Sequence, residues 1–528
     1  MKIIVTVHQF LPDFSSGTEV IALGIAKELQ SRGHEVTVVT GFHERRRLAD
    51  AERFDSYVYD GLRVERFRHS QHPMGDQRGI TELTYDNRLF ARAFDALLAE
   101  IEPDVVHFVH LARLSASLIE PCVARGIPTV FTATDFWAVC PYSQLRLGPT
   151  TLCDGPDDGA LNCVRHLAAN MAARSPSAAG RALSAAAVAS RAPDWMLELG
   201  VRAAKARLPM APAFFTEVRD LVGRQSFLRR QLNRIARVIA PSRVMERKLV
   251  QGGVEAERVE FLPYGIDVSR LTRGAERGTG RALRLGFTGS VAEHKGVAVA
   301  LEAMRLVDPA LPVELDIYGA PGDNPAYQAF YRQVRAAAAA DPRIRLHEPF
   351  DQSRLNEVLG SFDALVVPSL WHENTPLVVY EAFAAGCPVI GSDVEGIAEI
   401  VRHGVDGLLF APGDSVALAA CIERVAGDRD LLRRLAARAR PPLSVPDHVT
   451  RLEAIYAEVM PVPVADEVVV AAVAGRVKVA VADEARVVAL GGALKVVALA
   501  GEAMVAPVAD EVMTIAIDGV VIAAPTHA

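Results

Sequence analysis

The chain has 528 residues, half of them hydrophobic and 23% charged, with a formal net charge of −7. That length exceeds one hydrophobic core and calls for two domains or more, while the acidic balance supplies no field for nucleic acid. No apolar stretch of about 20 residues is present to span a bilayer, and six cysteines in so long a chain make no disulfide scaffold but fit a reducing cytoplasm.

Lys2–Val7 reads as a first strand, too short for the apolar region of a signal peptide. A loop with Ser15-Ser-Gly-Thr-Glu19 follows, then a helix to Ser31 and a strand over Glu35–Thr40. Gly17 allows either a close approach of backbone to a ligand or simply a tight turn. Leu62–Phe67 is a further strand and Thr81–Ile101 an amphipathic helix. Asp104–His110 is a buried strand, followed by a helix over Leu114–Arg125 and a strand over Pro128–Ala133. Strand and helix alternate, which predicts a parallel sheet whose ligands gather at the carboxyl ends of its strands. His110 and Asp135 lie at such ends, although a histidine there is as readily structural.

Residues 138–236 interrupt this pattern. Cys140, Cys153 and Cys163, with His166 three positions on, offer three thiolates and an imidazole for a structural zinc tetrahedron; ordinary free thiols are the alternative. An Ala- and Arg-rich helical stretch follows. Its last part, 224–237, places Phe227, Leu228, Leu232 and Ile235 near one face, with arginines elsewhere. Such a helix either lies on an anionic membrane or packs on its own domain.

A second set of strands begins with Leu283–Phe287. The loop Gly289-Ser-Val-Ala-Glu-His-Lys-Gly296 then leads into a helix, and Val313–Gly319, Ile344–Glu348 and Ala364–Pro368 supply further strands. After the last of these comes Trp371-His-Glu-Asn-Thr-Pro-Leu-Val-Val-Tyr-Glu-Ala-Phe-Ala-Ala-Gly386. Asn374 and Thr375 are expected as N-caps, with Pro376 at the first helical position. From Leu377 to Ala385 only Glu381 is not apolar or aromatic, and a buried carboxylate needs a partner. Helix-start amides suit a phosphate, and Glu381 lies roughly 7–8 Å along the axis from Pro376. Glu373 at the mouth and Glu381 deeper could therefore bracket a sugar, a diphosphate and a ribose, since carboxylates accept from hydroxyls. A structural Glu381, paired with an arginine or a backbone amide, is the other reading.

The segment resembles the E-x7-E signature of retaining glycosyltransferases of family four, which have the GT-B architecture of two Rossmann-like domains facing across a cleft. The likeness continues through Pro388-Val-Ile-Gly-Ser392, Glu399 and Gly404-Val-Asp-Gly407 to Pro412-Gly-Asp414. The Ser15–Glu19 loop resembles the family's G-G-x-E loop, with Ser16 for the first glycine. In the Gly289–Gly296 loop Ser290 replaces the family's arginine, while Lys295 is retained. The resemblance implies that Glu373 contacts the donor sugar and Glu381 the ribose, and that Lys295 neutralises the diphosphate. Gly289, Ser290, Asn374, Thr375, Pro376, Leu377 and Gly17 would complete the donor site, with the base near His347–Phe350. An acceptor-side histidine or His-Asp pair is usual in the family; Thr134-Asp135 stands in its place, so His110 and Asp135 are the candidates beside Glu373.

By the same resemblance, the chain is expected to be a hexosyltransferase-like enzyme that moves a sugar from a nucleotide diphosphate to a glycan or lipid-linked saccharide, keeping the anomeric configuration. The transfer requires no cofactor. The implied organisation is an acceptor-side domain over 1–262, a nucleotide-sugar domain over 263–445 and a helix at 446–460 crossing back. Polysaccharide assembly in the cytoplasm, peripheral to the inner face of the membrane if helix 224–237 lies there, is the expected setting. An epimerase or hydrolase of the same fold, or a catalytically silent scaffold, are the competing classes. A nicotinamide enzyme is disfavoured because no G-x-G-x-x-G follows the first strand. The tail, 461–528, is rich in Val and Ala and lies outside the resemblance. It repeats Val464-Ala-Asp-Glu-Val468 as Val481-Ala-Asp-Glu-Ala485 and Val508-Ala-Asp-Glu-Val512 at irregular spacing, and no role is assigned to it.

Overall fold

Runs of three to ten residues that end in loops at one edge become, in the computed structural model, two open parallel sheets. The structure describes residues 1–147, 151–157, 159–173, 192–206, 213–269, 271–273, 282–322 and 325–460, with strand segments only beyond 461. The first sheet comprises β1 (Lys2–Val7), β2 (Glu35–Glu44), β3 (Phe54–Tyr59), β4 (Leu62–Ser70), β5 (Val105–Phe108), β6 (Thr129–Thr132), β7 (Arg237–Ala240) and β8 (Val259–Phe261). Its spatial order is β3-β4-β2-β1-β5-β6-β7-β8, parallel except for the hairpin of β3 with β4. The second comprises β9 (Leu283–Thr288), β10 (Val313–Tyr318), β11 (Ile344–His347), β12 (Ala364–Val367), β13 (Val389–Ser392) and β14 (Gly407–Phe410), in the order β11-β10-β9-β12-β13-β14 and parallel throughout. Strands buried on both faces read as continuous apolar runs because helices cover each side, as Val-Val-His-Phe of β5 and Ala-Leu-Val-Val of β12 do.

Two local expectations are corrected. The single helix over Thr81–Ile101 is two, Ile80–Leu83 and Arg88–Ile101, because Asn87 leaves the helical path and its side chain caps Phe90 N–H. Strand β3 joins the expected set, turned back on β4 by Asp60-Gly61, both at positive φ and together a strong hairpin signal. In the insertion, helices Leu161–Ala173, Asp194–Lys205 and Ala213–Leu232 carry a small apolar cluster of their own, including Val164, Leu197, Val201 and Leu221.

The helix Val445–Val459 buries Val449, Leu452, Ile455 and Tyr456 against the first sheet's layer. Glu453 accepts from Arg32 at 2.7 Å and faces His34 Nε2 at 2.8 Å. The Tyr456 hydroxyl meets His107 Nδ1 at 2.7 Å, and the other ring nitrogen meets Thr132 Oγ1 at 2.8 Å. Burial holds the His107 imidazole neutral, down to about 3. Tyr456→Phe strands one nitrogen of a fully buried ring, so it should lower unfolding stability by about 1–3 kcal/mol, read by thermal denaturation.

The chain divides into two compact units, 1–459 and 460–528. The second contains strand pairs Val469–Val473 with Arg476–Ala480 and Ala485–Leu490 with Ala493–Ala498. It also has a three-stranded sheet over Met504–Ala506, Val512–Ile517 and Val520–Pro525. These pairings are antiparallel. The first Val-Ala-Asp-Glu repeat falls outside the described residues, and the second and third do so except at their final positions, Ala485 and Val512.

Candidate functional site

Strand β12 ends at Val367, and the loop after it is pinned by two glycines. A Cβ on Gly296 would lie 1.7 Å from Pro368 O, and one on Gly396 1.7 Å from Glu373 O; both residues have positive φ as well. No other residue fits either position. Backbone bonds from Leu370 N–H to His294 O and from Glu373 N–H to Glu395 O complete the frame.

Glu373 is thereby held in the protein, 5% exposed. Its Oε1 accepts from Lys295 Nζ, Ser369 Oγ and Trp371 Nε1, each at 2.7 Å. Lys295 also lies over the Trp371 ring, 4.8 Å from its centroid. Burial pulls the Glu373 carboxyl upward, but Lys295 and the hydrogen bonds outweigh it and hold it below its usual value. With Oε1 saturated, Oε2 makes no hydrogen bond among the described residues and remains for a ligand. The neighbouring His294 is kept neutral, at about 3, by burial and by Lys295.

The helix after this loop is Leu377–Ala384 and carries no side-chain cap. The capping expectation is corrected: Asn374 and Thr375 turn to the first domain instead. Asn374 donates to Ala133 O and Thr134 O, and its Oδ1 accepts from Ser242 at 2.6 Å; Thr375 Oγ1 donates to Pro241 O. Pro376 sits at the cap position, one step before the helix. The first helical amides, at Leu377 and Val378, therefore lack intrahelical partners.

Those amides border a cleft cavity of about 610 Å³. It is lined from the first domain by Ser15, Ser16 and Gly17, and from the second by Gly289, Ser290, Lys295, Glu373, Thr375, Pro376, Leu377 and Glu381. The structure thus brings together the E-x7-E pair, the lysine loop 78 positions before it and the Gly17 loop, which is hundreds of residues from both. Gly17 comes so close that a Cβ there would lie 3.2 Å from Leu377 Cδ1. Burial raises the Glu381 carboxyl to about 7, and among the described residues neither an arginine nor a backbone amide is bonded to it. Pro349 and Phe350 line the far end, whereas His347 is stacked on Tyr318 at 4.2 Å and bonded to Asp316. Sequence reasoning misses Tyr318, Thr288, Ser369 and Trp371; Ser369 and Trp371 adjoin the motif, while Thr288 and Tyr318 are legible only as strand ends.

His110 and Asp135 do not line this cavity. Asp135 Oδ1 accepts from Trp137 N–H, and its Oδ2 lies 3.1 Å from His110 Nε2. His110 Nδ1 accepts from Ala112 N–H, while its buried Nε2 faces Asp135 and makes no hydrogen bond among the described residues. Asp135 follows Thr134, whose carbonyl Asn374 holds, which sets the carboxylate beside the Glu373 loop.

The zinc expectation is corrected. Among the described residues no three His, Cys, Asp or Glu side chains converge as metal ligands. Cys140, Cys153 and Cys163 are free thiols that lie close enough to perturb one another, but Cys153 is turned to Gly155 O and the His166 ring packs on Tyr142 at 4.3 Å. The tetrahedron does not close. The membrane reading of 224–237 is corrected too. That stretch is the end of helix Ala213–Leu232 and the turn after it, and Leu228, Leu232 and Ile235 are sealed in the core with Phe227 against it. Its apolar face is occupied. Among the described residues no helix is long and apolar enough to cross a membrane.

Comparison with known proteins gives two family matches: Glycosyltransferase Family 4 over residues 15–152 and Glycosyl transferases group 1 over residues 282–428. The chain is similar to the amylovoran biosynthesis glycosyltransferase AmsK of Erwinia amylovora, 29% identical over 219 residues, covering 39% of this chain and 52% of that protein. It is likewise similar to the D-inositol 3-phosphate glycosyltransferase of Nocardia farcinica, 31% identical over 218 residues, covering 38% and 48%. The chain thus spans about half the length of the curated relatives it matches. In fold it resembles Anabaena Alr3699/HepE, solved in complex with UDP, with a TM-score of 0.56 at 15% identity, covering 87% of this chain and 100% of that one. The architecture is GT-B.

Proposed function

We propose that this chain, a member of glycosyltransferase family 4, transfers a sugar from a nucleotide-diphosphate donor to a glycan or lipid-linked acceptor with retention of configuration. The observation that carries the reading is one cavity in which two carboxylates, Glu373 and Glu381, flank unpartnered helix amides with Lys295 alongside. In this reading Glu373 Oε2 accepts from a donor-sugar hydroxyl and Glu381 from the ribose. The amides at Leu377 and Val378, with Lys295, stabilise the charge that grows on the leaving diphosphate. Glu373 Oε1 already accepts three bonds, which favours an orienting carboxylate over a nucleophile, so we assign attack to the same face as departure, with the leaving phosphate taking the acceptor proton. Asp135, steadied by His110, would orient the acceptor hydroxyl from the first domain. The name of the amylovoran relative supports polysaccharide assembly as the setting, and the free thiols favour the cytoplasm.

A thermal-shift panel with UDP, GDP, ADP, dTDP and NAD tests the donor half of the proposal. A nucleoside diphosphate at a hundred times its dissociation constant should stabilise the protein by about 2.7 kcal/mol. A shift with NAD alone would overturn the assignment.

A further inference from the structure

Outside the donor cavity, one cation stands apart from the paired charges around it. Arg113 comes after β5, on the side of the first domain that faces the cleft, and holds a left-handed backbone with φ 63°. Its side chain is seated because Gly41 has none: a Cβ there would lie 2.9 Å from Arg113 Cβ and 2.7 Å from His8 O. The guanidinium lies 5.7 Å from the Phe14 ring centroid, and Nη1 donates to Gln9 Oε1 at 2.5 Å. No carboxylate among the described residues comes within ion-pair distance of it, and its Nε and Nη2 make no hydrogen bond there yet are not sealed from solvent. Half-buried cations are usually paired.

The histidines that feel the Arg113 charge are neutral. His8, His43 and His69 are each held uncharged, first by burial and further by neighbouring charge that includes Arg113, with His69 at about 4. His8 Nδ1 and both nitrogens of His69 are buried without partners among the described residues. The carboxylate that acts on Arg113, Glu19, is engaged by Ser16 and faces His8 Nε2 at 3.5 Å. A fixed positive charge with spare forked donors that are open to solvent is a receptor for an oxyanion. The loop that carries Gln9 and Phe14 to Arg113 continues into Ser15–Gly17, which line the donor cavity. An anion at Arg113 is therefore one loop away from the transferred sugar, on the acceptor side.

We infer that Arg113 binds an anionic group of the acceptor, a carboxylate or a phosphate monoester, beside the reacting hydroxyl. This rests on the transferase reading above for the role of the ligand, but not for its binding.

Calorimetric titration of the full chain, with and without saturating UDP, against methyl glucuronide, glucose 6-phosphate and methyl glucoside tests it. At least one anion should bind roughly tenfold or more tightly than methyl glucoside. The preferred anion tells a carboxylate from a phosphate source. Arg113→Gln should reduce that affinity to the level of the neutral sugar, Arg113→Lys should retain part of it, and UDP affinity should stay the same in both, which also reports folding. Equal binding of methyl glucoside, binding of no anion, or indifference to Arg113→Gln would each overturn the inference. Failure of UDP alone to bind would count against the donor reading and leave the anion titration standing.

Discussion

Glu381→Gln should weaken nucleoside diphosphate binding roughly ten- to a hundredfold at pH 8, the loss of a charged hydrogen-bond acceptor worth about 1.5–3 kcal/mol. It should also flatten the pH dependence of binding. In the wild type the carboxyl is raised to about 7 by burial, so the carboxylate proposed to accept from the ribose is present above that pH and lost as pH falls through it. Affinity should accordingly rise with pH across 6 to 8 in the wild type and stay level in the variant. The stability of the ligand-free protein runs the other way. A carboxyl whose folded value exceeds its unfolded one adds stability below the unfolded value, and that stability is lost as pH rises through 7. Glu381→Gln should therefore unfold at a higher temperature than the wild type at pH 8, while binding nucleotide worse. Calorimetry at three pH values reads both effects; a variant that is less stable and no weaker in binding would remove Glu381 from the donor site.

Lys295→Met should lower turnover by about 10²–10³, the usual effect of deleting one donor aimed at charge that develops in the transition state. It also leaves Glu373 buried and short of its counter-ion. Removing one partner of a fully buried pair costs about 3–5 kcal/mol; Lys295 is 26% exposed, so the expected cost is nearer 1–3 kcal/mol. The double variant Lys295→Met/Glu373→Gln separates the two effects. With the buried charge gone, stability should return towards the wild type, while transfer stays lost. Turnover near the wild-type rate in Lys295→Met, with its folding intact, would contradict the proposed role.

Much of this protein is legible in its residues. Apolar runs flanked by glycine loops mark most strands of both sheets, because a strand buried on two faces holds a charge only where a partner satisfies it, as His347 does Asp316. The Trp371–Gly386 stretch announces a buried helix with one carboxylate, and Glu373, Lys295 and Gly17 can be nominated without coordinates. Sequence spacing also picks out the cysteines and His166, but three thiols and an imidazole make a metal site only if their side chains point to one centre. Here the His166 ring turns to Tyr142. The amphipathic pattern at 224–237 is equally sound, yet periodicity states that a face is apolar and does not say what covers it; the first domain's core covers it. Asn374 satisfies a local capping rule and is overruled by carbonyls about 240 positions away, at Ala133 and Thr134. The same distance in sequence hides Arg113. Nothing in a single arginine after a strand shows that it lacks a carboxylate, because pairing depends on which strand ends the sheet order sets side by side. Local patterning determined the elements and the chemical inventory, whereas the tertiary structure alone decided which groups meet, which are satisfied and which are left facing a ligand.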